Sequence, residues 1–197
     1  MGAATIPLPL RPLRARSSEP RGRDENPRMK AVHLSTADEA ATRAAGVALA
    51  PLLRATDVLV LSGDLGAGKT QLVKGIAEGL GVREAVTSPT FNIMLVHQGR
   101  VPLYHVDLYR LDHADQLEDI DFFGAVEAGG VTAVEWGDRF AAVRAVATLE
   151  VVLHIASDTD RLLEVTGRGQ RGAELASEWS RACEELPGVN VREAPSR

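Results

Sequence analysis

Lysine is nearly missing from this chain of 197 residues: Lys30, Lys69 and Lys74 stand against nineteen arginines. A sequence that takes almost all its positive charge from arginine, yet sets a lysine at one point, has a reason specific to that point. Cysteine is scarcer still. Cys183 is alone, which excludes an internal disulfide and a cysteine-built zinc site and fits a reducing cytosol. No apolar run approaches the length of a bilayer span, so no membrane partner is expected. No apolar h-region is present either, which argues against a secretory signal. Excess positive charge is also lacking: the formal charge of −5 argues against a generally basic nucleic-acid binder. What remains is ordinary for a globular protein, with 45% hydrophobic and 25% charged residues. The length suits one domain with tails, large enough to bury a sizeable core.

The organisation follows from composition and periodicity. Residues 1–29 are rich in Arg and Pro and carry no periodic pattern, which reads as a disordered extension. The organised domain is expected over 30–186, and residues 187–197 read as a flexible tail. Val32 and Leu34 alternate as a short strand, and Thr36 with Glu39 offers a capping box for the helix that follows. Residues 58–61 are a continuous apolar run, a buried strand. Residues 91–96 and 101–108 read as two strands joined by the turn at Gln98, Gly99 and Arg100. That hairpin interrupts strict strand–helix alternation and predicts a mixed sheet. Residues 131–134, 149–155 and 162–166 supply further strands, and a last amphipathic helix is expected over 173–186. The acidic residues between Asp112 and Asp121 read as a solvated face.

The lysine that needs explaining is Lys69. Residues 63–70 read Gly-Asp-Leu-Gly-Ala-Gly-Lys-Thr, a complete G-x-x-x-x-G-K-[ST] phosphate loop between the 58–61 strand and a helix marked by Leu72, Val73, Ile76 and Leu80. Gly66 and Gly68 allow close backbone approach to a phosphate. The N–H groups across Asp64, Leu65, Gly66, Ala67 and Gly68 form an anion nest at a helix start. Lys69 reaches the β- and γ-phosphates, and the Thr70 hydroxyl ligates Mg²⁺. The fold class is therefore α/β, a P-loop NTPase-like three-layer sandwich with a mixed β-sheet. Guanine reading by N/T-K-x-D needs a lysine outside this loop. Lys30 precedes Ala-Val and Lys74 precedes Gly-Ile, so ATP is favoured over GTP by elimination.

A phosphate loop also needs an acid at the end of a neighbouring strand to hold the metal. Glu135, after the 131–134 run, is the cleaner match, and Asp107 also qualifies. Thr87, Ser88 and Thr90 around Pro89 form either a γ-phosphate-sensing segment or a plain turn. Arg110 either offsets phosphate charge or pairs with Asp112 or Asp115. His105 reads as a packed core histidine, and Trp136 reads as core sooner than as a nucleotide neighbour.

The strings G-D-L-G-A-G-K-T at 63–70, T-S-P-T-F at 87–91, H-V-D-L-Y-R at 105–110 and V-E-W at 134–136, in that order and spacing, resemble the TsaE (YjeE) family of small ATPases over about residues 31–168. The resemblance implies slow, Mg²⁺-dependent ATP hydrolysis in support of threonylcarbamoyladenosine formation at position 37 of tRNAs reading codons that begin with A. It implies action on a complex of the transferase TsaD with TsaB, so that tRNA is met indirectly. It further implies phosphate contact by Lys69, Mg²⁺ ligation by Thr70 and Glu135, support of hydrolysis by Asp107, a switch-like place for Thr90, and adenine-bordering places for Thr36 and Arg168. The alternative is a P-loop small-molecule kinase. Such an enzyme closes several arginines on its phosphates, and only Arg100 and Arg110 lie between residues 84 and 135.

Overall fold

The computed structural model describes residues 31–193, so the expected extension over 1–29 lies outside them. The elements are β1 (Ala31–Thr36), α1 (Glu39–Leu49), β2 (Val58–Ser62), α2 (Lys69–Gly79), β3 (Met94–His97), β4 (Leu103–Asp107), α3 (Gln116–Asp119), α4 (Phe122–Glu127), β5 (Val131–Glu135), α5 (Ala141–Ala145), β6 (Leu149–Ile155), β7 (Arg161–Gly167), α6 (Gly169–Cys183) and β8 (Val189–Glu193). All eight strands join one sheet in the order β3-β4-β5-β2-β6-β7-β1-β8. β4, β5, β2 and β6 run parallel. β3 pairs antiparallel with β4, and β7, β1 and β8 complete the other side antiparallel. The sheet is mixed, as the 91–108 hairpin implied.

β2 shows why the molecule has three layers. Every residue of it is buried, and alternate side chains serve opposite cores. Leu59 and Leu61 pack with Leu72 and Ile76 of α2, Ala45 and Leu49 of α1, and Leu175 and Trp179 of α6. Val58 and Val60 pack with Leu117 of α3, Phe122 of α4 and Val143 of α5. The Trp179 indole N–H donates to the Ala45 carbonyl at 2.8 Å, which ties α6 to α1 and satisfies a buried donor. The order of the parallel strands brings the carboxyl ends of β2, β4 and β5 together: Leu61 pairs with Glu135, and Asp107 pairs with Glu135. Open α/β sheets bind ligands outside such ends.

Several boundaries differ from the sequence reading. Residues 189–193 are not a flexible tail but edge strand β8, six residues beyond Cys183, pairing with β1 from Val32–Glu193 to Thr36–Val189. α1 is capped by Asp38, whose carboxylate accepts from the Ala41 N–H at 2.7 Å, and not by Thr36, which ends β1 as a fully buried residue. β3 begins at Met94 and not at Phe91. The Asn92 and Ile93 N–H groups both bond back to the Pro89 carbonyl, and Ile93 has φ +64°, so the chain turns before it pairs. α6 starts at Gly169, four residues before the apolar stripe becomes visible.

Candidate active site

A cavity of about 650 Å³ opens at the carboxyl ends of the parallel strands, with the 63–70 loop as its floor. The loop is built from conformations that favour glycine: φ is +129° at Gly63, +79° at Gly66 and +101° at Gly68. A Cβ on Gly66 would meet nothing within 4 Å, so that position is glycine for its dihedral angles. At Gly63 the same atom would strike the Leu153 carbonyl at 2.1 Å, so that position is glycine for space as well.

Lys69 and Thr70 open α2 beneath this loop. The Lys69 ammonium donates to the carbonyls of Gly63 at 2.7 Å and Asp64 at 2.9 Å, and it sits 3.8 Å from the centre of the Trp136 ring. Burial pushes its pKa below the ordinary 10.5, against the pull of Glu135 and Asp107. The Thr70 hydroxyl donates to Glu135 Oε1 at 2.8 Å, and His105 Nε2 lies 2.9 Å from the same oxygen. Asp107 Oδ2 accepts from both the Ser88 and the Thr90 hydroxyls at 2.8 Å, while Oδ1 accepts from the Tyr109 N–H at 3.0 Å. The two strand-end acids therefore have separate tasks. Glu135 faces the lysine and threonine of the loop, and Asp107 ties down the 88–90 segment.

Thr70 and Glu135 offer hard oxygen donors on one wall, the donor type magnesium takes. The open, left-handed loop has room for a polyphosphate. The residues present fit both groups.

The opposite wall was not legible in the sequence. Asp38, Glu39 and Thr42 from the start of α1 line it together with Asp158, Thr159 and Arg161 from the β6–β7 turn. Thr36 is one layer behind, its hydroxyl 2.7 Å from that of Thr42. Arg168 does not border the cavity. It lies at the far end of β7, beside Gly167–Leu149 pairing, and donates to Glu150 at 2.7 Å. The arginine at the rim is Arg161, which donates to the Ser157 and Asp160 carbonyls and had no motif to announce it. Trp136 both lines the cavity and packs, partly buried, against the core around Val60 and Val134, with a left-handed φ of +63°. Its place directly after a strand-end acid was the available signal. Arg110 pairs with neither Asp112 nor Asp115; its guanidinium lies 4.5 Å from the centre of the exposed Phe91 ring.

The family model described as threonylcarbamoyl adenosine biosynthesis protein TsaE matches residues 36–163. A Bacillus subtilis protein named tRNA threonylcarbamoyladenosine biosynthesis protein TsaE is 38% identical over 154 residues, 78% of this chain and 96% of that protein. A Streptomyces coelicolor protein of the same name is 45% identical over 139 residues, 66% of this chain and 93% of that protein. The crystal structure of Bacillus subtilis YdiB superposes with a TM-score of 0.63 at 34% identity, covering 78% of this chain and 96% of that one.

Proposed function

This chain belongs to the TsaE family of threonylcarbamoyl adenosine biosynthesis proteins, and from that premise we propose that it binds ATP with Mg²⁺ and hydrolyses it slowly. The hydrolysis serves threonylcarbamoyladenosine formation at position 37 of tRNAs reading codons that begin with A. The protein acts on the TsaD–TsaB transferase complex and does not itself transfer the threonylcarbamoyl group. It works in the cytoplasm, and it meets tRNA through that complex.

The observation that carries this reading is the Thr70–Glu135 contact at 2.8 Å beside the lysine of a glycine-built loop. In the proposed roles, the loop N–H groups from Asp64 to Gly68 receive phosphate oxygens. Lys69 neutralises their charge in a site dry enough to lower its pKa. Thr70 and Glu135 hold Mg²⁺, which when bound offsets charge on the β- and γ-phosphates. Asp107 supports hydrolysis from its place at the end of β4, where the Ser88 and Thr90 hydroxyls make its geometry depend on the 88–90 segment. The wall of Asp38, Glu39, Thr42 and Arg161 is left for the base and ribose.

The test is reconstitution. ATP turnover by the full chain alone, and with TsaD and TsaB, is measured beside tRNA modification. The proposal expects slow turnover alone, faster turnover with the partners, and modification that depends on this chain. Phosphate appearing on a small acceptor, or full modification without the chain, would overturn it.

A further inference from the structure

His105 looks at first like core: it is fully buried on β4 among apolar neighbours. Strand register places it in a polar row instead. His97 of β3 pairs with Leu103, His105 with Leu95 and Ala133, and Glu135 of β5 with Asp107. His97, His105 and Glu135 are therefore diagonal neighbours on one face of three adjacent strands, and diagonal neighbours interact. That face is the one α2 covers, since Leu103 and Ala133 on it pack with Leu72 and Ile76. Thr70 closes the row at one end by donating to Glu135 Oε1. Glu84 closes it at the other, 3.1 Å from His97 Nδ1.

The proton on each ring follows from its carboxylate. Glu84 has its pKa held below the ordinary value, first by its own backbone N–H and then by the His97 side chain, so it only accepts and His97 Nδ1 donates. A Glu135 that holds a metal is likewise an acceptor, so His105 Nε2 donates. The remaining nitrogens, His97 Nε2 and His105 Nδ1, are then both lone-pair acceptors. Both are buried without a hydrogen-bond partner among the described residues, and the ring centres are 6.3 Å apart.

We propose that His105 is a positioning residue for Glu135, held as the Nε2–H tautomer so that its N–H and the Thr70 hydroxyl pin Oε1 and leave Oε2 as the oxygen that would be available to a metal. The proposal rests on the reading of Glu135 as a magnesium ligand. Histidine is suited to this row because it donates at one end and accepts at the other in a fully buried place. Without His105, one hydrogen bond from Thr70 holds the carboxylate, which is then free to swing about it.

Two measurements test the proposal, and they separate it from the ATP reading. Long-range proton–nitrogen correlation on nucleotide-free wild-type protein reads the tautomer directly. A protonated Nε2 and bare Nδ1 on His105 are expected, and the reverse tautomer would overturn the proposal whether or not ATP binds. The second measurement is a magnesium titration of fluorescent-nucleotide binding. His105→Leu is expected to raise the magnesium needed for half-saturation about 10-fold, the usual cost of losing a ligand's supporting hydrogen bond, with affinity for metal-free nucleotide unchanged. His105→Gln keeps an N–H near the same place and is expected to restore the wild-type requirement. A Gln variant that needs as much magnesium as the Leu variant, or a wild-type requirement in both, would contradict it. If His105→Leu does not fold, the Gln variant against wild type and the tautomer still decide. A wild-type protein that binds no nucleotide would instead defeat the ATP reading and leave the tautomer result standing.

Discussion

At the scale of residues, the most informative contact is the one Lys69 makes with its own loop and with Trp136. Two carbonyls and an aromatic face hold a buried ammonium at the cavity wall. Lys69→Ala is expected to weaken nucleotide binding about 10- to 100-fold, the worth of a charge-assisted hydrogen bond, and to abolish turnover while leaving the circular-dichroism spectrum unchanged. The motif made this residue legible, because a phosphate loop constrains a few atoms in a fixed local order. Arg161 was not legible, because its place at the rim depends on how β6 and β7 turn, which no local pattern encodes. Arg168 was misplaced for the same reason: it directly follows the strand that Arg161 begins, and the two lie at opposite ends of that strand. Cys183 gives a second expectation. Burial pushes its thiol up to about 12, so almost no thiolate exists near neutral pH. A thiol reagent at pH 8 should label it only as urea unfolds the chain, in step with loss of Trp fluorescence. Fast labelling of native protein would contradict the packing of α6.

At the scale of elements, the α1–α2 pair shows packing overriding propensity. Gly46 and Gly75 sit inside helices, where glycine costs about 1 kcal/mol against alanine. A Cβ on Gly75 would stand 2.0 Å from the Arg43 carbonyl, and one on Gly46 would stand 2.4 Å from the Leu72 carbonyl. Gly75→Ala is therefore expected to destabilise by about 1–3 kcal/mol in urea unfolding, although helix propensity alone favours it. Periodicity revealed most elements because each buries one face: β2 and α2 were plain from the sequence. β8 was not, since the few residues that follow α6 and Pro187 resemble a tail unless the unpaired edge of β1 is known to await them. α1 shows the competition between caps. Thr36 has the capping-box spacing, but the last β1 position buries it, and Asp38 takes the role.

At the scale of the whole molecule, the site and the scaffold are held by different charges. Glu150, on β6 near the end of the sheet remote from the cavity, accepts from Arg168 at 2.7 Å and from Arg144 at 3.2 Å, which joins the loop before α6 and helix α5 to the sheet. Burial alone would raise its pKa, but the two arginines outweigh it and hold the carboxyl below the ordinary 4.5. A lowered folded-state pKa contributes stability that is fully present above the unfolded value and is lost as pH falls through the folded one. Glu150→Gln should therefore lower the melting temperature at pH 7, by the equivalent of about 1–2 kcal/mol given half-exposed arginines. It should also flatten the decline below pH 4.5 and leave nucleotide affinity unchanged. The central claim is that one cavity takes Mg²⁺ and ATP together through Lys69, Thr70 and Glu135. Calorimetric titration of ATP into the full chain, with and without magnesium, tests it most directly. The account predicts binding heat that magnesium strengthens in the wild type and that the Glu135→Gln variant no longer strengthens; no heat in the wild type, or the same response to magnesium in that variant, would contradict it.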